Sequence, residues 1–197
     1  MNHAMMTLDH EQRLRRLEAL ERLATPVWDD LLPSAVSVGG GASAPSFSAY
    51  NGNLRAYEFL GTGPTAKDIQ MQWQLSHSWL EGSALAPHLH LYVPNDATGG
   101  VIKFSCEYTW VNVDAVEGAT TTISGTLTIA AGAGNLHKIL PFPSVAGTGK
   151  TLSSVFSARI YRDPADAADT FGASVWLKSA DLHRQIDSLG SRQEYTK

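Results

Sequence analysis

The residues with the most evident chemical potential are two histidines, His88 and His90, in the stretch GSALAPHLH (82–90). At i and i+2 of an extended strand both imidazoles point to one face, where they can share a metal ion. Such a pair needs a third ligand. The positions a few residues on, where a carboxylate would complete a local motif, are Pro94 and Asn95. Glu107 and His137 can reach the pair only from neighbouring strands, and nothing local places them there. The favoured reading is two structural imidazoles bonded to Trp79, Tyr92 or backbone near a strand start. No catalytic residue, cofactor or metal ligand is assigned.

The other reactive side chains read as structure. His77 sits on the apolar side of its strand pattern, as a core histidine does. His183 shares a strand face with Asp181 and Gln185; an Asp–His pair is half of a triad, but the chain has no G-x-S-x-G elbow to supply the nucleophile. Cys106 alternates with Phe104 and Tyr108, which predicts a small buried hydrophobe. Asp163, Asp166 and Asp169 are three apart, whereas calcium loops place carboxylates at alternate positions, so this segment reads as a solvated loop. GTGKT (147–151) ends like a phosphate-binding loop, but Ser144 stands where the first glycine belongs, which leaves a hairpin tip.

The elements that must hold these residues are mostly strands. Residues 69 to 79, IQMQWQLSHSW, alternate large side chains with uncharged polar ones. Further strands are expected at 54–60, 88–93, 101–113, 120–130, 136–142, 152–161, 172–178 and 181–186, separated by Gly, Asn and Pro turn signals. Short strands at this spacing with no helix between them predict an all-β fold, an antiparallel β-sandwich or jelly roll. Trp73, Trp79 and Trp110 are expected in its core.

One helix is expected, at residues 8 to 24, capped by Thr7 or Asp9 and stopped by Pro26. Its leucines, Leu14, Leu17, Leu20 and Leu23, slip around the helix too fast for a coiled-coil seam. Residues 33 to 49, with three consecutive glycines, two prolines and many serines, read as a flexible linker. The expected organisation is therefore an attachment arm over 1–32, a linker over 33–49 and a β body over 50–197. The four leucines and Trp28, which has no core of its own, are the expected interface residues. The arm is expected to order only on its partner.

Charged residues are only 17% of the chain, against a usual ~25%, so the strand faces must be covered by Ser, Thr, Gln and Gly. A net charge of −4 excludes the basic patch of a nucleic-acid module. No apolar run approaches the ~20 residues of a membrane span. The first residues carry no basic stretch followed by an apolar one, which predicts no secretory signal. A single cysteine excludes a disulfide framework and points to a reducing compartment.

Four segments together resemble a family of small tailed-bacteriophage proteins: HSWLEGSALAPHLHLY (77–92), EYTWVNV (107–113), DTFGA (169–173) and DLHRQIDSLGSRQEYTK (181–197). The family pattern is an HSW-EG…HxH core followed by a GSRQEY-K end. Ser76 stands where proline is common, and Leu91 separates the HxH pair from the aromatic Tyr92. The resemblance covers residues 55 to 197. It implies a virion structural protein, made in the host bacterial cytoplasm, homotrimeric and not an enzyme. Its expected partners are its own copies and other virion proteins of the portal, adaptor, tail or capsid. The expected function is a fibre or appendage anchored by its N-terminal arm. Alternatives are a capsid decoration protein, a host-glycan-binding module using Trp176, Tyr57 or Tyr50, and, less favoured, a cupin-like metal-dependent enzyme using His88 and His90.

Overall fold

Two-residue alternation of apolar and polar side chains gives each strand one face for a common core and one for solvent. The computed structural model describes residues 11–13, 26–39 and 43–191. Eleven strands run through them: β1 (Val27–Leu31), β2 (Ala35–Val38), β3 (Ser46–Asn51), β4 (Leu54–Phe59), β5 (Lys67–Gln74), β6 (Ala86–Val93), β7 (Gly100–Val111), β8 (Thr121–Ile129), β9 (Leu136–Pro141), β10 (Val155–Arg162) and β11 (Val175–Ile186). Sheet A has the order β3-β4-β11-β6-β9, with β1 also paired to β11; sheet B has the order β2-β5-β10-β7-β8. Every pairing is antiparallel. From β4 to β11 the first strand pairs the last, β5 pairs β10, β6 pairs β9 and β7 pairs β8. That nesting is a jelly roll, as the strand spacing predicts.

The inner faces meet in one core. Ile69, Met71 and Trp73 of β5, Leu89, Leu91 and Val93 of β6, Ile102, Phe104 and Cys106 of β7, and Phe156 and Ile160 of β10 are all buried. Trp79 and Trp110 lie beside each other there, with ring centroids 5.6 Å apart. Burial pushes the Cys106 thiol up to about 12, so it is an inert core side chain. Among the described residues two arginines are buried, Arg162 and Arg184. Arg162 is fully buried and spends all five N–H donors: two on the carboxylate of Asp169, two from Nη1 on the carbonyls of Phe59 and Ala173, and one on that of Phe171.

Several expectations need correction. The segment expected as linker contributes two edge strands, β2 on β5 and β3 on β4. The last part of the expected arm, β1, pairs with β11 and brings Trp28 with it. An edge strand needs backbone hydrogen bonds more than core side chains, so Ser- and Ala-rich sequence serves there. Residues 11–13 are helical; the rest of the expected helix, with Leu14, Leu17, Leu20 and Leu23, lies outside the described residues. The strand expected to reach Trp79 stops at Gln74, so His77 sits in a loop, half-buried and bonded to Ser191 rather than on a core face. The aspartate loop is not simply solvated: Asp166 pairs with Lys103, and Asp169 is buried on Arg162.

The strands expected at 172–178 and 181–186 are one strand with a break in phase. Its pairing with β6 shifts between Leu177 and Ser179, a bulge at Lys178. Before the bulge Val175 and Leu177 point inward; after it Ala180 and Leu182 do. The extra residue therefore sends Asp181 and His183 to the outer face.

Candidate functional site

The bulge sets Asp181 directly opposite His88 on β6. Because His90 follows at i+2, both imidazoles rise from the outer face of sheet A beside that carboxylate. His88 Nε2 lies 3.1 Å and His90 Nε2 3.4 Å from the same oxygen, Asp181 Oδ1. His88 and Asp181 are each 5% exposed, while about a quarter of the His90 side chain faces solvent. The outer nitrogens are occupied too: His88 Nδ1 faces the Ala86 carbonyl at 3.4 Å, and His90 Nδ1 faces His137 Nε2 at 2.8 Å.

Two further histidines frame the group. His137 comes from β9, where it opposes Tyr92. Its pKa is lowered, first by desolvation and then by the nearby positive charges of Lys178 and His90, so the neutral ring is favoured. The His183 ring stands 4.2 Å from that of His88 and binds Asp30 of β1 at 2.8 Å. Trp28 lies 6.5 Å beyond His183 on the same face. It is 60% exposed, so within one chain it remains largely in solvent.

Toward the other end of the face the side chains become aromatic. Tyr50, Tyr92 and Trp176 form a chain of rings with centroid separations of 5.0 and 5.8 Å. The Trp176 indole donates to Ser48 Oγ at 2.7 Å, and that hydroxyl donates to Glu58 at 2.7 Å. The Lys178 ammonium lies 5.9 Å from the Tyr50 ring centre. Half-exposed rings with a carboxylate and an ammonium at their rim can bind a ligand that has both apolar faces and hydroxyl groups.

The outer face of sheet B differs. A groove of about 590 Å³ runs between β2, β5, β10 and the 117–120 segment, lined by Gln70, Gln72, Thr109, Ser157, Glu107 and Arg159, among others. Arg159 lies 3.2 Å from Asp68 and 3.5 Å from Glu107, and Glu117, which also lines the groove, accepts a hydrogen bond from the Thr109 hydroxyl.

The spacing of His88 and His90 was legible in sequence, and so was the common face of Asp181 and His183. Of the two residues considered as further partners, His137 arrives beside His90, whereas Glu107 belongs to the opposite sheet. Asp181 was missed as a partner of the pair, because the β6–β11 register joins residues more than ninety positions apart. Of the aromatics named for glycan contact, Tyr50 and Trp176 stand on this face; Tyr57 packs against the core.

No family model matches the chain, and no curated protein matches it. Solved structures do. A xylan-binding domain of carbohydrate-binding-module family 22 superposes with a TM-score of 0.36 at 13% identity, over 82% of this chain and 88% of that one. The enzymatically active domain of tailspike protein 4 from bacteriophage CBA120 gives a TM-score of 0.36 at 9% identity, over 83% of this chain and 19% of that one. A sugar-binding protein assigned in Bacteroides thetaiotaomicron gives a TM-score of 0.33 at 8% identity, over 81% of this chain and 86% of that one.

Proposed function

We propose that the chain is a non-catalytic, glycan-binding appendage protein of a tailed-bacteriophage virion, a homotrimer whose sheet A faces outward. The observation that carries the glycan reading is the ring series Tyr50, Tyr92 and Trp176, with Ser48, Glu58 and Lys178 at its rim. Sugar rings present C–H faces that pack on aromatic rings, and equatorial hydroxyls that bond to carboxylates and ammonium groups. The virion assignment is supported by the HSWLEG…HLH and GSRQEYTK segments. Self-association is supported by the groove on sheet B, where Gln70, Gln72 and Ser157 stand beside Val36 and Met71.

The test is a glycan microarray probed with the purified full chain, followed by calorimetric titration of the best hit. Trp176→Ala should weaken binding at least tenfold and leave the far-ultraviolet circular dichroism unchanged. Absence of any hit, or undiminished binding in a Trp176→Ala/Tyr92→Ala double variant, would remove the glycan reading. A second reading, a capsid decoration or adaptor-docking protein, is favoured by the exposed apolar side chains of Val27, Trp28 and Leu32. In that case Trp28→Ala would block incorporation into particles while Trp176→Ala would not.

A further inference from the structure

The outer face of sheet A holds an arrangement that neither glycan contact nor self-association uses. Three potential ligand atoms, His88 Nε2, His90 Nε2 and Asp181 Oδ1, all lie within 4.8 Å of one another. Asp181 Oδ1 is buried and, despite its two short contacts, has no properly directed hydrogen bond. A buried carboxylate oxygen in that state carries a desolvation cost that something must offset.

The outer nitrogens indicate what that is. A carbonyl oxygen can only accept, so the His88–Ala86 contact requires the proton on His88 Nδ1. The neutral ring then turns a lone pair toward the Asp181 carboxylate. His90 can do the same: with its Nδ1–H donating to His137 Nε2, its Nε2 is also a lone pair. Three electron-rich atoms within 4.8 Å of one another repel each other unless a cation sits among them.

The dimensions fit a metal. Metal–nitrogen and metal–oxygen bonds of about 2.0–2.2 Å at tetrahedral angles put neighbouring ligand atoms about 3.3–3.6 Å apart, close to the spacing here. The two measured edges are 3.1 and 3.4 Å. The ligands also stand on paired strands, and both imidazoles are oriented from behind, by the Ala86 carbonyl and by His137.

We propose that His88, His90 and Asp181 bind a divalent first-row transition-metal ion of the zinc or iron(II) type, with open coordination positions on the His90 side. Two imidazoles and one carboxylate select such ions over calcium or magnesium, which prefer all-oxygen sets. The carboxylate absent from residues 94 and 95 is supplied by the neighbouring strand. The competing explanation is a metal-free cluster in which added protons turn the imidazoles into cations bound to Asp181. The site does not depend on glycan binding.

The full chain, stripped with a chelator and dialysed, would be titrated with zinc and, separately, with cobalt(II). The expected result is one ion per chain, a visible cobalt absorption band, and a thermal unfolding midpoint that rises with free zinc. In the wild-type histidine NMR spectrum, zinc should move the His88 and His90 signals before that of His77. Asp181→Asn should weaken zinc binding on the order of a hundredfold, and His88→Gln/His90→Gln should abolish the cobalt band. A folded wild-type chain that takes up neither ion at about 10 μM would overturn the proposal. So would zinc binding that leaves the His88 and His90 signals in place, a result that does not rely on any variant folding.

Discussion

The two outer faces of this jelly roll are made by the same alternation of residues and carry different chemistry. On sheet A, β1, β6, β9 and β11 bring together His183, His88, His90 and His137 with Asp30 and Asp181. On sheet B, the equivalent outward positions of β5, β7 and β10 hold Gln70, Gln72, Ser105, Thr109 and Ser157, with Arg159 between Asp68 and Glu107. Both faces rest on one core, so neither pattern is needed for folding as such. A solvated surface gains nothing from burying His88 and Asp181 together. A contact surface between copies gains from having few charges to desolvate. The difference supports the proposed division of labour, with ligand chemistry on sheet A and self-association on sheet B.

The strongest way to break that separation is through what the faces share. Arg162 and Asp169 close one end of the core, tying β10 to the segment that enters β11 and to the Phe59 carbonyl of β4. Asp169→Ala leaves a buried guanidinium without its counter-charge, and such losses run to about 3–5 kcal/mol. Urea denaturation should show a destabilisation of that size, with glycan binding and oligomer mass lost over the same transition. A cost below about 1 kcal/mol, or loss of one property without the other, would mean that the faces do not share a single cooperative core.

A milder perturbation separates the faces. Gln72 and Ser157 are directly paired across β5 and β10, and both line the sheet B groove. Placing arginine at both positions adds two charges to a face that must be desolvated when copies meet. Sedimentation of Gln72→Arg/Ser157→Arg should give a monomer, with monomer stability within about 1 kcal/mol of wild type, the cost of a like-charge pair across two strands with Ser157 half-buried. Glycan and zinc binding per chain should be unchanged. An oligomer of unaltered mass would place self-association elsewhere, with the β1 strip around Trp28 the next surface to test.

How much of this was legible beforehand depends on whether the information is local. The alternation in IQMQWQLSHSW set β5, its core side and its uncharged side, because strand facing has a period of two. The turn residues marked nearly every strand from β4 onward. β1, β2 and β3 were hidden: sequences such as AVSV and SFSAYN are stabilised by the sheet edges they join, and their Ser, Gly and Pro content reads as linker. The pairing of His88 with His90 follows from spacing alone. Asp181 and His137 arrive through strand register, which joins distant segments and leaves no trace at either one. Lys178 left a faint signal: the inward pattern changes phase there, which is why β11 read as two strands.

The smallest expected effect concerns acid, and it sharpens the comparison at the edge of sheet B. Lys103 rises from β7 and holds Asp166 of the β10–β11 loop, whose carboxyl is kept below its ordinary value first by the Lys103 side chain and then by the Ala168 amide. Asp96, in the β6–β7 loop, is lowered in the same way by the Thr98 hydroxyl and by the Thr98 and Gly99 amides. For a carboxylate with a folded-state pKa below the unfolded one, the stabilisation is fully present above the unfolded pKa, here 3.8. It is lost as pH falls from there through the folded value. These two groups therefore contribute no change between pH 8 and 5, and their loss begins below pH 4. Both are half-exposed, so solvent screening keeps the effect small; the Lys103–Asp166 pair contributes about 1 kcal/mol or less. Thermal unfolding at pH 7, 5 and 3 should show Asp166→Asn slightly less stable than wild type at pH 7 and 5, with the gap closing at pH 3. If the gap is instead widest at pH 3, the Asp166 carboxylate does not tie its loop to the sheet B face through charge.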